Sequence, residues 1–334
     1  MSKTLITGAT GFLGTHLLNY LLKNNQTDLR ILISSNTPDS LPSAVDVVRG
    51  SITDPETVKH AVDGVSRIYH LAGKVSRNAD DKREMHAIHI DGTRILCETA
   101  KKAGVQRIVM ASSSGTIAIT KTGEKIPNET WPTPIEFCSR WPYYASKIYQ
   151  EETAGRACGD KVELLMLNPS LLLGPGDARL SSTNDVLRFL SRDIPVIPPG
   201  GINFVDVRDV AIAFANAMRR GRAGHRYLLG GPNWTFEKFF GRLERLTKVS
   251  APKVRTPAKV AFWGAKIADS MYRHWGKVPP IEVNSVEMAE YFWYVDSSKA
   301  ERELGFVARD PGETLYDTVT YLKENFLPTE SFAK

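Results

Sequence analysis

The stretch TLITGATGFLG, residues 4–14, decides the fold. An apolar run (Leu5, Ile6, Thr7) enters three glycines, Gly8, Gly11 and Gly14, and the chain leaves through Leu13, Leu17, Leu18, Leu21 and Leu22 at helical spacing. A strand that turns through glycines into a helix is an anion-binding device. The helix start offers unpaired N–H groups and the positive end of its dipole. Gly8 permits the tight turn, Gly11 lets the backbone approach a pyrophosphate, and Gly14 lets the helix pack close to the strand. The backbone at Thr10, Phe12 and Leu13 completes the expected cradle. Glycine strings mark many ordinary turns, but the strand before this one and the helix after it are the context that dinucleotide binding requires.

Working outward, the first half alternates strands and helices, the pattern of a doubly wound parallel sheet. Strands are predicted at 3–7, 29–34, 45–49, 67–72, 107–112 and 163–168, and helices at 12–23, 55–62, 83–103 and 144–157. The rhythm breaks after Asn168. Segment 169–201 is rich in Gly, Pro and Ser around one helix, 184–191. A strand at 204–207, a helix at 208–219 and a strand at 226–229 follow, and from Trp234 the chain reads as mainly helical. This gives residues 1–171 as the dinucleotide-binding domain, with 202–231 returning to it, and 172–201 plus 232–334 as the substrate part. Residues 328–334 read as a loose tail.

The chain has 334 residues, 42% hydrophobic and 24% charged, ordinary for a globular enzyme. A net charge of +6 suits anionic ligands. No Lys/Arg-rich block, zinc-finger spacing or RNA-binding signature occurs, which argues against a nucleic-acid partner. Three scattered cysteines, Cys97, Cys138 and Cys158, argue against a disulfide framework or a metal site and for a cytoplasmic location. The first strand leaves no room for a signal peptide, and no apolar run approaches a membrane span. In 259–277, Trp263, Ile267 and Met271 repeat at helical spacing among Lys259, Lys266, Arg273 and Lys277. This reads first as an amphipathic helix packed on the domain, with a lid or a peripheral membrane contact as alternatives.

WPYYASK places Tyr143 and Lys147 at i and i+4, on one helix face. A nearby ammonium lowers a phenol's pKa toward the working range of a proton-transfer group. The strand ending at Ala111 runs into Ser112, Ser113, Ser114 and Gly115, at the sheet edge where doubly wound folds bind ligands. Taken singly, each pattern also fits a surface pair or a plain turn.

In order, TGATGFLG (7–14), HLAG (70–73), SSSGT (112–116), YYASK (143–147) and NPSLLLGPG (168–176) resemble the extended short-chain dehydrogenase/reductase family. FVDVRDVA (204–211) and WYVDSSKAERELGF (293–306) look familial as well. The resemblance implies an α/β fold, a doubly wound parallel Rossmann sheet with a smaller, mainly helical C-terminal substrate domain. It makes Tyr143 the general acid/base, Lys147 its partner and the holder of the nicotinamide ribose, and Ser113, within the serine run, the serine on the substrate oxygen. It also makes Leu71, Ala72, Gly73, Asn168, Pro169 and Ser170 cofactor contacts.

Three positions depart from the pattern. The acid that usually selects NAD would stand at Ser34, followed by Ser35 and Asn36, so NADP(H) is favoured over NAD(H). The arginine common in NADP users is missing there, with Arg30 nearby. The expected Gly-Asp is Gly50-Ser51-Ile52, which leaves the adenine contact open. His89 reads as a satisfied core histidine rather than a proton relay. Ser114 and Gly115 after the serine count against a dehydratase, and the lack of an arginine before Val205-Asp206 weakens a nucleotide-sugar substrate. The resulting expectation is an oxidoreductase that reduces a ketone or aldehyde, or oxidises the alcohol. A nucleotide-sugar epimerase and a non-catalytic dinucleotide-binding protein are the alternatives. Lys74, Ser76, Ser114, Thr116, Trp141, Arg179, Asn184 and Phe204 are the expected substrate contacts, around a hydrophobic carbonyl compound. Family members are often homodimers, and the resemblance extends that expectation here.

Overall fold

The computed structural model describes residues 3–34, 41–254, 263, 266, 272 and 283–327. Strand β1 (Lys3–Thr7) leads into α1 (Phe12–Lys23), β2 (Leu29–Ile33), β3 (Asp46–Arg49), α2 (Pro55–Val62) and β4 (Val65–His70). Then come α3 (Lys82–His86), a widened turn at Ala87–Gly92, α4 (Thr93–Lys102), β5 (Arg107–Ala111), α5 (Ile135–Cys138) and α6 (Pro142–Cys158). They are followed by β6 (Glu163–Pro169), β7 (Leu171–Leu173), α7 (Asn184–Leu190), β8 (Gly201–Asp206), α8 (Val207–Arg220), β9 (Arg226–Leu229) and β10 (Asn233–Thr235). The remaining described helices are α9 (Phe236–Thr247), α10 (Val283–Met288), α11 (Ser298–Leu304) and α12 (Pro311–Phe326).

The main sheet has seven strands in the order β3-β2-β1-β4-β5-β6-β9, and every neighbouring pair is parallel. Its strands are near-continuous apolar runs because helices cover both faces. Leu13, Leu17 and Leu21 of α1 meet Phe214 and Met218 of α8 in one core layer. Val58 of α2, Leu96 of α4 and Ala154 of α6 build the opposite layer. The strand order reverses at β1, with β2 on one side and β4 on the other. That switch opens a crevice at the carboxyl ends of the strands.

A second sheet, β10-β8-β7, stands apart. It carries its own core of Phe189, Phe204, Trp234, Phe239, Phe240 and Leu322. Val207 starts a helix rather than ending a strand, because the Asp206 carboxylate accepts the Arg208 N–H at 2.9 Å and caps α8. The helix expected over 83–103 is interrupted: Ala87–Gly92 takes the i→i+5 pattern of a π-turn. Such a turn inserts one residue and rotates the following face. Periodicity alone cannot reveal it.

Ser35, Asn36, residues 328–334 and most of the expected 259–277 helix lie outside the described residues. Within that helix Trp263 is 58% exposed, and the Lys266 ammonium lies 5.3 Å from its ring centroid. Among the described residues, no helix is long and apolar enough to cross a membrane. Among the described residues, no group of three or more His, Cys, Asp or Glu side chains is placed to hold a metal ion. All three cysteines are buried free thiols.

Candidate active site

The glycine turn sits at the switch point. Gly8 has φ +73°, and a Cβ there would lie 2.6 Å from the Ala72 nitrogen. A Cβ on Gly14 would stand 2.0 Å from the Gly8 carbonyl oxygen, whereas one on Gly11 meets only that oxygen, at 3.3 Å. The turn is therefore closed on the protein side at positions 8 and 14 and open at 11. Gly11 is the N-cap of α1, with no side-chain cap and no acidic residue in the first turn. The N–H groups of Phe12, Leu13 and Gly14 thus lack intrahelical acceptors and face the crevice end of the helix. Only the backbone of Leu13 is offered there, because its side chain belongs to the core.

α6 begins at Pro142, which presets the first helical turn. Its inward stripe is Ser146, Lys147, Gln150 and Glu151, then Ala154, Ala157 and Cys158, polar toward the strand ends and apolar beyond. Lys147 is buried. Its ammonium donates to the Ala111 carbonyl at 3.0 Å and to Gln150 Oε1 at 2.9 Å, which spends two of its three N–H bonds. Burial pulls its pKa down to about 8, and the Glu151 charge opposes that pull. The Lys147 ammonium lies 3.7 Å from where a Gly73 Cβ would be, so the bare glycine of HLAG leaves the room above it.

Half-buried Tyr143 opens the same helix. Burial pushes its phenol up to about 12, and a hydrogen bond with Ser113 works the other way. The depressed phenol expected from the Tyr143–Lys147 spacing is therefore not what the geometry gives. Burial dominates, and two of the lysine's N–H bonds are turned to Ala111 and Gln150. Of the three serines, Ser112 turns inward to Glu151 and Ser114 is buried in a tight turn, so Ser113 is the hydroxyl beside Tyr143. The Ser113 carbonyl accepts the Thr116 N–H at 3.1 Å and the Asn168 amide at 3.2 Å. Gly115 makes room for the Tyr144 ring, which a Cβ would strike at 2.2 Å.

His89 lies 6.0 Å from the Tyr143 ring centroid, edge to face. Its Nε2 accepts the Lys74 backbone N–H at 3.1 Å, so its Nδ1–H must donate to the Ser146 hydroxyl at 2.8 Å, which passes its own proton to the Tyr143 carbonyl. An imidazole whose acceptor is filled by a backbone amide cannot relay a proton, and the core-histidine reading accounts for it. Beneath Lys147 a polar chain runs from Gln150 to Thr93 (3.0 Å), to His70 (2.9 Å) and on to Thr7 (2.8 Å), whose hydroxyl oxygen accepts the Ala72 N–H.

Several expected contacts are drawn elsewhere. Phe204 is a core ring packed edge-on against Trp234 and Phe239, so it lines no substrate surface. Trp141 is 1% exposed and donates its Nε1–H to Glu287. Thr116 is fully buried and donates to Glu151. The Lys74 ammonium is held by Asp81 and Glu84, and the Ser76 hydroxyl by Asp81. Arg179 and Asn184 are exposed, Asn184 at the start of α7. Ser51 turns its hydroxyl to Thr53, and Ile52 packs into the core beside Gly92. Ser34 is exposed at the end of β2. Arg30 turns away to Asp46 and to the carbonyls of Ala61 and Asp63 at the end of α2.

At the end of β6, Pro169 is buried in the strand, and Asn168 Oδ1 and Ser170 Oγ are buried with no hydrogen-bond partner among the described residues. Orphaned polar atoms of that kind are what a bound polar group satisfies. With the open helix start and the bare Gly11 and Gly73, they fit a dinucleotide laid across the switch point. Gln150 and Glu151 escaped the reading of the sequence, although they continue the Lys147 stripe at i+3 and i+4. Charged and amide side chains on the inward face of a helix were the available signal.

A chain with this fold and this constellation is a member of the NAD dependent epimerase/dehydratase family, whose model matches residues 4–230. It is an enzyme of the extended short-chain dehydrogenase/reductase type, among NAD(P)-dependent reductases, epimerases and dehydratases. The chain is 29% identical over 326 residues to a putative dihydroflavonol 4-reductase of Synechocystis sp., covering 96% of this chain and 94% of that one. It is 30% identical over 325 residues to sterol demethylase protein B of Methylococcus capsulatus, covering 96% and 98%. Among solved structures, that of gox2253 superposes with a TM-score of 0.84 at 26% identity, covering 98% and 99% of the two chains. A UDP-glucose 4-epimerase from Thermotoga maritima superposes at 0.74 with 22% identity over 96% and 99%, a likeness of fold.

Proposed function

We propose that the protein is an NADP(H)-dependent reductase of a hydrophobic ketone or aldehyde. The observation that carries the reading is the meeting of Tyr143, Ser113 and Lys147 at the carboxyl ends of β4, β5 and β6, beside the open start of α1. When bound, the nicotinamide supplies the hydride. Tyr143 holds a proton for the substrate oxygen, and Ser113 donates a hydrogen bond to the same oxygen. Burial keeps the Tyr143 phenol protonated, the form that can donate to the substrate oxygen in a reduction. The remaining N–H of Lys147 is the one available to a ribose hydroxyl.

Exposed Ser34, standing where a carboxylate would repel a 2′-phosphate, supports NADP(H). Arg30 is engaged with Asp46, so it does not contribute. The aromatic wall next to Tyr143, with Tyr144 at 5.1 Å and Trp293 at 4.9 Å beyond it, supports a planar, apolar substrate. Two relatives bear names that fit: the Synechocystis protein is named for a reductase, and the Arabidopsis protein 27% identical over 240 residues is a cinnamoyl-CoA reductase. We further read residues 1–171, with 202–231 returning to them, as the cofactor part, and 172–201 with 232–334 as the substrate part. The test follows the nicotinamide absorbance with NADPH and NADH against aromatic and aliphatic carbonyl compounds. Tightly held NAD+ with turnover of nucleotide sugars would mean an epimerase instead.

A further inference from the structure

Behind Tyr143 and Lys147 lies a carboxylate that the reading above does not use. Glu151, one turn beyond Lys147 on α6, is 8% exposed. Its Oε1 accepts the Thr116 hydroxyl at 2.9 Å, the Asn168 Nδ2–H at 2.8 Å, and the Ser112 hydroxyl in a short bond. Its Oε2 faces the Arg226 guanidinium of β9 at 3.5 Å. A lone buried carboxylate costs several kcal/mol. Here three donors and a cation, drawn from the turn after β5, the end of β6 and the edge strand, offset that cost.

The donors are the groups that shape the site. Thr116 and Asn168, whose side chains grip Glu151, also grip the Ser113 carbonyl, Thr116 through its backbone N–H. Asn168 Nδ2 is surrounded by Glu151, Thr116 and the Ser113 carbonyl, all acceptors, which fixes the amide orientation and leaves Oδ1 without a partner. We propose that Glu151 is a positioning residue, which holds Ser113 against Tyr143 and keeps Asn168 Oδ1 presented as a free acceptor. It has an electrostatic consequence as well. Lys147 faces His70 from β4 and His89 from the π-turn, both held neutral by burial, and Tyr143 on its own helix. Against burial, the Glu151 charge helps the ammonium keep its proton, while Arg226 draws on that same carboxylate from the far side.

The kinetic part of this inference rests on the reductase reading, and the spectroscopic part does not. Glu151→Gln keeps the size and removes the charge. We expect kcat to fall about tenfold, with the cofactor KM held within about twofold. We also expect the Lys147 titration to move down by about one pH unit. That titration is followed by NMR of 13Cε-lysine protein, with the signal assigned by its loss in Lys147→Arg. Glu151→Asp, which restores the charge, should return the titration toward wild type. An unmoved Lys147 titration in Glu151→Gln overturns the proposal, even if kcat falls. Should that variant not fold, Thr116→Val removes one donor at constant shape. It should lower kcat several-fold, and a wild-type kcat there overturns the proposal. Wild-type protein without turnover would defeat the reductase reading, and the lysine titration would then decide this one alone.

Discussion

At the scale of single residues, cofactor choice turns on Ser34. A carboxylate there would face a 2′-phosphate with like charge and offer an acceptor to a ribose 2′-hydroxyl. Ser34→Asp should weaken NADPH binding about tenfold or more, roughly 1.4 kcal/mol, and favour NADH. Fluorescence titration with both nucleotides checks this, and an unchanged NADPH affinity would remove Ser34 from the specificity argument. The single-residue roles were legible where a residue acts through its own chemistry and local spacing. Tyr143, Lys147 and the glycines could be picked out of the sequence because each belongs to a short contiguous motif with fixed spacing. Glu151 could not, since its meaning comes from Ser112, Thr116, Asn168 and Arg226 on separate segments. Phe204 and Trp141 misled for the converse reason. Position along the chain places Phe204 in a strand and Trp141 at the start of a helix, but not which face each ring takes, and both turn to the core.

At the scale of elements, α1 and the glycine turn behave as one rigid unit. A methyl group on Gly14 would stand 2.0 Å from the Gly8 carbonyl oxygen, and backbone cannot yield as a flexible side chain does. Gly14→Ala should destabilise the protein by about 1–3 kcal/mol, the usual range for overpacking, and weaken dinucleotide binding. Chemical denaturation and binding by fluorescence read the two effects, and wild-type values in both would contradict the close packing of helix on turn. α1 and α2 were legible to the residue, because their apolar spacing is regular and their ends carry ordinary signals. The break at Ala87–Gly92 was not. It depends on which face must meet α6 and the main sheet, a tertiary demand that overrides a continuous helical pattern.

At the scale of the whole molecule, the two buried histidines tie stability to pH. Burial lowers His70 to about 3 and His89 well below its ordinary value, so both are neutral when folded. In the unfolded chain each takes up a proton near pH 6.5. Unfolding therefore gains protons as pH falls, and stability present above pH 6.5 is lost progressively from there down to about 3 for His70. Each histidine contributes a slope of up to about 1.4 kcal/mol per pH unit. Denaturation midpoints between pH 6.5 and 5, above most carboxylate titration, should fall steeply, and less steeply in His70→Asn. A flat profile would contradict the neutral, hydrogen-bonded core. The doubly wound sheet was legible at this scale from the alternation of strands and helices. The separate β10-β8-β7 sheet was not, since its strands are short and pair across long loops.

The measurement that bears most directly on the account compares wild type with Tyr143→Phe. NADPH oxidation is followed against aromatic carbonyl compounds, and NADPH affinity is measured on the same samples. The account predicts turnover in wild type, loss of about a thousandfold or more in the variant, and a dissociation constant for NADPH that stays within about threefold. Turnover in Tyr143→Phe equal to wild type would contradict it.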